Sequence, residues 1–294
     1  MRTQVLAVSV ALAGCGRMGF TERDGTTVDA AVDAAPDAAQ TNLMFVTSTA
    51  EAGAVCTAGP ASADAVCATR AMDAGLPGTY RAWMSGPGEH ARDRLGSARG
   101  WLRTDGRPFA DTVASMISGQ VIFPGRFTEL GVDIQHGFTQ TATAADGTHS
   151  TASGCSVGGL TGSAGTRWAS GIVVSNGRLY CFGIDHATPV SAPRVSGRVA
   201  FVSTQDWPPS SGIAAADAIC AADATSGGQP GTYRAFLPTT TASAASRFDL
   251  GGAIWVRPDG VPIVTQASDL ASWTLLAPIM LHADGSPTQL RVWT

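Results

Sequence analysis

The sequence predicts an α+β protein built from two tandem copies of one domain, the second copy incomplete. Each copy reads as one main helix, short strands and long loops. The first observation is a repeated phrase. "ADAVCATRAMDAGLPGTYRAW" begins at Ala63 and "ADAICAADATSGGQPGTYRAF" at Ala216, and Pro-Gly-Thr-Tyr-Arg-Ala follows a cysteine at the same spacing in both. The second is that further matches keep the same order. Phe45 opens "FVTSTA" and Phe201 opens "FVSTQD", Asp64–Cys67 matches Asp217–Cys220, and Arg94-Leu95 matches Arg247-Phe248. "WLRTDG" from Trp101 matches "WVRPDG" from Trp255, and "VIFPG" near Pro124 matches "LLAPI" near Pro278. The third is composition: 35 glycines, 7 tryptophans and only 14% charged residues suggest long loops pinned by aromatic anchors.

The amino terminus reads as an export signal. Met1-Arg2 is a short positive start, and Val5 to Ala13 is an apolar run too short for the roughly 18–20 residues that span a bilayer. Leu12-Ala13-Gly14-Cys15 resembles the bacterial lipobox, in which the cysteine thiol receives a diacylglycerol. That resemblance makes residues 1–15 a lipoprotein signal peptide and Cys15 the lipidation site. The expected partner is then a membrane, reached through a lipid anchor, and the expected location is the cell envelope, at the outer membrane or cell surface. Gly16 rather than Asp after the cysteine favours outer-membrane sorting. Residues 16–42 read as a disordered Ala/Asp-rich tether, because "TERDGTTVDAAVDAAPDAAQ" has no aromatic residue and little that could form a core.

Residues 43–190 form the first expected domain. Ala63, Val66, Cys67 and Ala74 recur at helical spacing, with Ser62 as N-cap and Gly75 as the stop. Pro77-Gly78 turns the chain into a strand in which Tyr80, Ala82 and Met84 alternate with Thr79, Arg81 and Trp83. Asp105-Gly106 and Asp259-Gly260 mark hairpin turns. Residues 199–294 repeat this plan and stop early, so their closing strands and closing cysteine are expected to be missing and their strand edges exposed.

"ADAVCATRAMDAGLPGTYRAWMS" resembles the start of the endostatin domain, where an Ala-Asp-x-x-Cys helix precedes a Gly-Thr-aromatic-Arg-Ala strand; a bacterial family of uncharacterised lipoprotein domains carries the same signature. The similarity covers Phe45 to about Ile184, through Cys155 and "RLYCFG". It implies a C-type-lectin-like fold and a long-range disulfide between Cys67 and Cys181. The second disulfide of that pattern needs a cysteine near Val173, where none occurs, so Cys155 is assigned to Cys56, the cysteine left over in this copy. Four cysteines still allow three arrangements by spacing alone. Cys220 corresponds to Cys67 without a closing mate in its copy, and is expected to be a free thiol or to bridge two molecules.

The chemistry in the sequence is sparse. All nineteen basic residues are arginine, which excludes lysine Schiff-base and serine–lysine catalysis. A net charge of −4 argues against a nucleic-acid partner. His90, His136, His149, His186 and His282 are scattered, and no His-Glu-x-x-His, Gly-x-Ser-x-Gly or phosphate-binding loop occurs. No cysteine–histidine spacing fits structural zinc, and the calcium-ligating triplets of sugar-binding lectins are absent. "HARDRLGSARGWLRTDGR" places Arg92, Arg94, Arg99, Arg103 and Arg107 together, a candidate polyanion patch with Asp93 and Asp105 interleaved. A self-paired solvated face is the preferred reading of that stretch, since the second copy keeps only Arg247 and Arg257. The expected function is therefore a non-catalytic binding or adhesion module with no cofactor and no metal, facing an extracellular protein or glycan. A structural envelope role and an enzyme with an unrecognised site are the alternatives.

Overall fold

The computed structural model describes residues 12–18, 41–51, 53–151, 154–272, 275–288 and 292–293. The body of the expected signal peptide before Leu12, and nearly all of the expected tether, lie outside the described residues. The chain folds as mixed α+β in two compact units. The middle unit is Thr26–Ala192. The flanking unit combines Met1–Gly25 with Pro193–Thr294.

In chain order, strand β1 (Leu12–Met18) belongs to the flanking unit. The middle unit runs β2 (Asn42–Val46), α1 (Gly53–Thr57), α2 (Pro60–Asp73), β3 (Tyr80–Ala82), α3 (Ala91–Arg94), β4 (Trp101–Arg103), β5 (Pro108–Ala110) and α4 (Val113–Ile117). It ends with β6 (Phe138–Gln140), β7 (Val157–Leu160), β8 (Ile172–Val173) and β9 (Tyr180–Gly183). Its main sheet has the order β3-β9-β2-β4-β5, and β6-β7-β8 make a separate three-stranded sheet. β9, the last strand of this unit, lies between the early strands β2 and β3 and is antiparallel to both.

The pleat sorts side chains to opposite faces of this sheet. Phe45, Tyr80, Ala82 and Cys181 pack with Ala63, Cys67 and Ala71 of α2. Tyr180 and Phe182 belong to an aromatic cluster with Trp83, Trp101, Phe109 and Trp168. The indole N–H of Trp101 donates to the Gly183 carbonyl (2.9 Å), and that of Trp168 to the Met116 carbonyl (3.1 Å). Large aromatics thus secure the long loops without leaving these two donors unpaired.

α2 starts at Pro60 after Gly59, with no side-chain cap, so Ser62 lies inside the first turn rather than at the N-cap. The preset φ of proline suits the first helical position. At the other end Gly75 takes φ +68°, its N–H donates to the Met72 carbonyl, and the Leu76 N–H donates to the Ala71 carbonyl. This Schellman closure is why glycine ends the helix. The same bonds recur at Gly228 and Gln229.

The flanking unit continues with β10 (Arg198–Asp206), α5 (Gly212–Ser226), β11 (Thr232–Ala235), β12 (Trp255–Val256), α6 (Asp269–Ser272) and β13 (Val292–Trp293). Its sheet has the order β11-β1-β10-β12, with β13 also paired to β1. The lane between β10 and β11 is filled by β1, so these edges are not exposed in the way the sequence reading expected. Phe201, Tyr233 and Ala235 pack with Ala216, Cys220 and Ala224 of α5, the counterpart of the α2 face.

Candidate functional site

The structure joins Cys67 to Cys181 and Cys56 to Cys155. The first bond ties α2 to β9 and the second ties α1 to the turn before β7. Cys220 is disulfide-bonded, which corrects the expectation of a free thiol. The backbone of Cys15 lies in β1, opposite Phe201 and Ala235.

Both copies carry an aspartate–arginine clasp that explains part of the repeated phrase. In α2, Asp64 Oδ1 accepts from the Ala82 N–H (2.8 Å) and pairs with Arg94 (2.5 Å), whose guanidinium is also paired with Glu89. In α5, Asp217 Oδ1 accepts from the Ala235 N–H (2.9 Å) and Oδ2 pairs with Arg247 (2.6 Å). Each clasp fixes helix to strand with charge-assisted hydrogen bonds.

The five arginines of the candidate polyanion patch are not one solvated cluster. Arg94 and Arg103 are buried. Arg103 forks onto Asp105, donates to the Pro124 carbonyl (2.8 Å) and stacks over Phe127 at 4.4 Å. Arg99 pairs with Asp111, Arg92 lies near Asp93 and Asp146, and Arg107 lies 3.9 Å from Asp105. Every one has a carboxylate partner, which leaves little unneutralised charge to attract a polyanion. Arg103-x-Asp105 and Arg257-x-Asp259 make the same fork around a glycine turn, so these repeated residues build hairpins.

The histidines do not converge. His90 Nδ1 accepts from the His149 N–H (3.1 Å), and His282 Nδ1 lies 2.9 Å from the Val202 carbonyl. Among the described residues, no group of three or more His, Cys, Asp or Glu side chains is arranged to hold a metal ion. A depression of about 200 Å³ is lined by Asn42, Leu43, Pro77, Gly78, Asp185 and His186. Its polar groups serve the backbone: Asn42 bridges the Arg99 and His186 carbonyls and Asp185 accepts from the Thr79 N–H.

The long loop between α4 and β6, with the start of β6, holds three of the exposed large apolar side chains. Leu130 is 65% exposed, Val132 55% and Phe138 59%, and Val173 on β8 is 81% exposed. The Leu130–Val132 tip is nevertheless firmly held. Gly131 takes φ +73°, the Thr128 N–H donates to the Val132 carbonyl (3.0 Å), and the Val132 N–H donates to Thr128 Oγ1 (3.2 Å). The buried Glu129 carboxylate accepts from the Ser48 N–H (2.8 Å) and hydroxyl (2.5 Å). Arg126 pairs with Asp133 at 3.0 Å, and burial pushes its guanidinium pKa down despite that partner. The sequence reading missed this tip, since Glu-Leu-Gly-Val-Asp shows no period that separates an exposed apolar turn from an ordinary loop. No protein-family model matches the chain, and no curated protein is similar to it.

Proposed function

We propose that this chain is an exported, non-catalytic binding module with two C-type-lectin-like units, in which the loop side of the middle unit grips an extracellular protein. The observation that carries this is the rigidly anchored apolar tip at Leu130 and Val132. Ordered loops that hold large apolar side chains in water are characteristic of binding surfaces. An apolar tip, together with the carboxylate pairing of Arg92, Arg94, Arg99, Arg103 and Arg107, favours a protein surface over a polyanion. Two disulfides in the middle unit support export to an oxidising compartment.

The test is capture by the full chain on an array of extracellular proteins and glycans, beside an L130S/V132S variant. Burying two such side chains contributes about 1.5–3 kcal/mol each, so the variant should lose about a hundredfold or more in affinity with its near-ultraviolet circular dichroism unchanged. Capture that is equal in the variant, or hits confined to glycans, would refute this assignment.

A further inference from the structure

We propose that Leu12–Met18 is the closing strand of the flanking unit and that Cys15 and Cys220 form its disulfide staple, so that closure of this unit and lipidation of Cys15 exclude one another. This goes beyond the binding proposal and does not depend on it. In the middle unit, the closing strand β9 places Cys181 opposite Phe45 on one side and Ala82 on the other. In the flanking unit, β1 places Cys15 opposite Phe201 and Ala235. Phe201 and Ala235 are the repeat mates of Phe45 and Ala82. β9 runs antiparallel to β2 and β3, and β1 runs antiparallel to β10 and β11, with a short parallel pairing to β13 besides. The correspondence holds residue by residue: Gly14 stands where Tyr180 does, Cys15 where Cys181 does, and Gly16 where Phe182 does. β1 therefore supplies from the amino terminus the strand that the middle unit draws from its own carboxyl end.

The cysteine inventory agrees. Four of the six cysteines are consumed by the two middle-unit bonds, and Cys220 is disulfide-bonded. Cys220 is the repeat mate of Cys67, whose partner is Cys181, and Cys15 holds the register position of Cys181. Formation of the staple removes one proton and one electron from each thiol. The two electrons pass to a disulfide-bearing oxidant of the exported compartment, which becomes a dithiol.

Lipoprotein processing is incompatible with this arrangement on two counts. A thioether on Cys15 uses the sulfur that the staple needs. Cleavage before Cys15 also removes Leu12–Gly14, and with it the pairing of Leu12 and Ala13 to Val292 and Trp293 of β13.

The exported full chain, alkylated before any reduction, is digested with trypsin and mapped by mass spectrometry. The expected product is the peptide ending at Arg17 joined to the peptide Val199–Arg234, with Leu12–Gly14 present and the parent protein monomeric on a non-reducing gel. A diacylated Cys15 with an alkylated Cys220 would overturn the proposal, and so would a Cys15–Cys220 link found only between chains. A G16P variant separates a strand-directed bond from chance oxidation of a nearby tail, because proline withdraws an N–H from a central strand. Loss of the cross-linked peptide is expected in that variant, and a link formed at the wild-type level would refute the strand assignment.

Discussion

Replacing Asp64 with alanine should be among the most damaging single changes available in the middle unit. Asp64 does two jobs: it accepts the Ala82 N–H at the end of β3 and pairs with Arg94, a guanidinium whose side chain is only 6% exposed. Removing one partner of a buried ion pair typically costs about 3–5 kcal/mol, because the other charge is left without compensation. Two facts reduce that here. Asp64 is itself 27% exposed, and Arg94 keeps Glu89 as a second, half-exposed partner. About 2–3 kcal/mol is the resulting expectation, which for a unit of this size lowers Tm by about 4–12 °C. Scanning calorimetry of the full chain is the assay, with the shift confined to the transition assigned to the middle unit. D64A/R94M, which deletes the orphaned charge as well, should recover about 1 kcal/mol or more over D64A alone. A D64A loss below about 0.5 kcal/mol, the range of an ordinary surface change, would refute the clasp as an anchor of helix to strand.

Two further outcomes follow from the middle unit. Opening the Cys67–Cys181 bond as C67A/C181A leaves Cys56–Cys155 in place, so the loop released is about 40 residues rather than the full separation of 114; this is worth about 4 kcal/mol in the chain-entropy model, and urea unfolding should show a loss of that order. An unchanged midpoint would refute this bond as a constraint on the unfolded chain. Burial first, and the nearby Asp185 charge second, push the Tyr80 phenol up to about 12. A folded-state pKa above the unfolded value of 10 means that the neutral phenol's contribution is whole below pH 10 and is lost as pH rises towards 12. Ultraviolet titration near 295 nm should therefore find Tyr80 still un-ionised at pH 10–11, with stability falling across that interval. Ionisation of Tyr80 near pH 10 in the folded chain would contradict its burial.

The parts of this fold that were legible in the sequence are those encoded locally. The helix, its glycine stop, the Pro-Gly turn and the Asp-Gly hairpins each depend on residues a few positions apart. Repetition made them visible twice. The misread parts depend on partners far along the chain. The five arginines of His90–Arg107 read as mainly self-paired through the interleaved Asp93 and Asp105, whereas the partners of Arg94 and Arg99 include Asp64 and Asp111, outside that stretch. The Ser62 cap failed because Pro60 already supplies the helical φ two residues earlier. The apolar tip at Leu130 could not be read at all, since what marks it is a buried Glu129 bonded to Ser48 across the fold.

The amino terminus shows how one short string satisfies two different requirements. Leu-Ala-Gly-Cys reads as a peptidase recognition site because its residues are small and end in cysteine. A strand inserted between two others is recognised mainly through its backbone, which offers the same N–H and C=O ladder whatever the side chains are. Glycine at positions 14 and 16 is therefore no obstacle to pairing with β10 and β11. It does carry a conformational-entropy cost of about 0.5–1 kcal/mol per residue relative to alanine. A glycine-rich closing strand consequently needs a hold beyond its own propensity, and a covalent bond from its one cysteine to the helix beneath is the kind of hold the middle unit already uses at Cys181. Linear order hides this, because the strand between β10 and β11 comes from before the first copy of the repeat rather than from after the second.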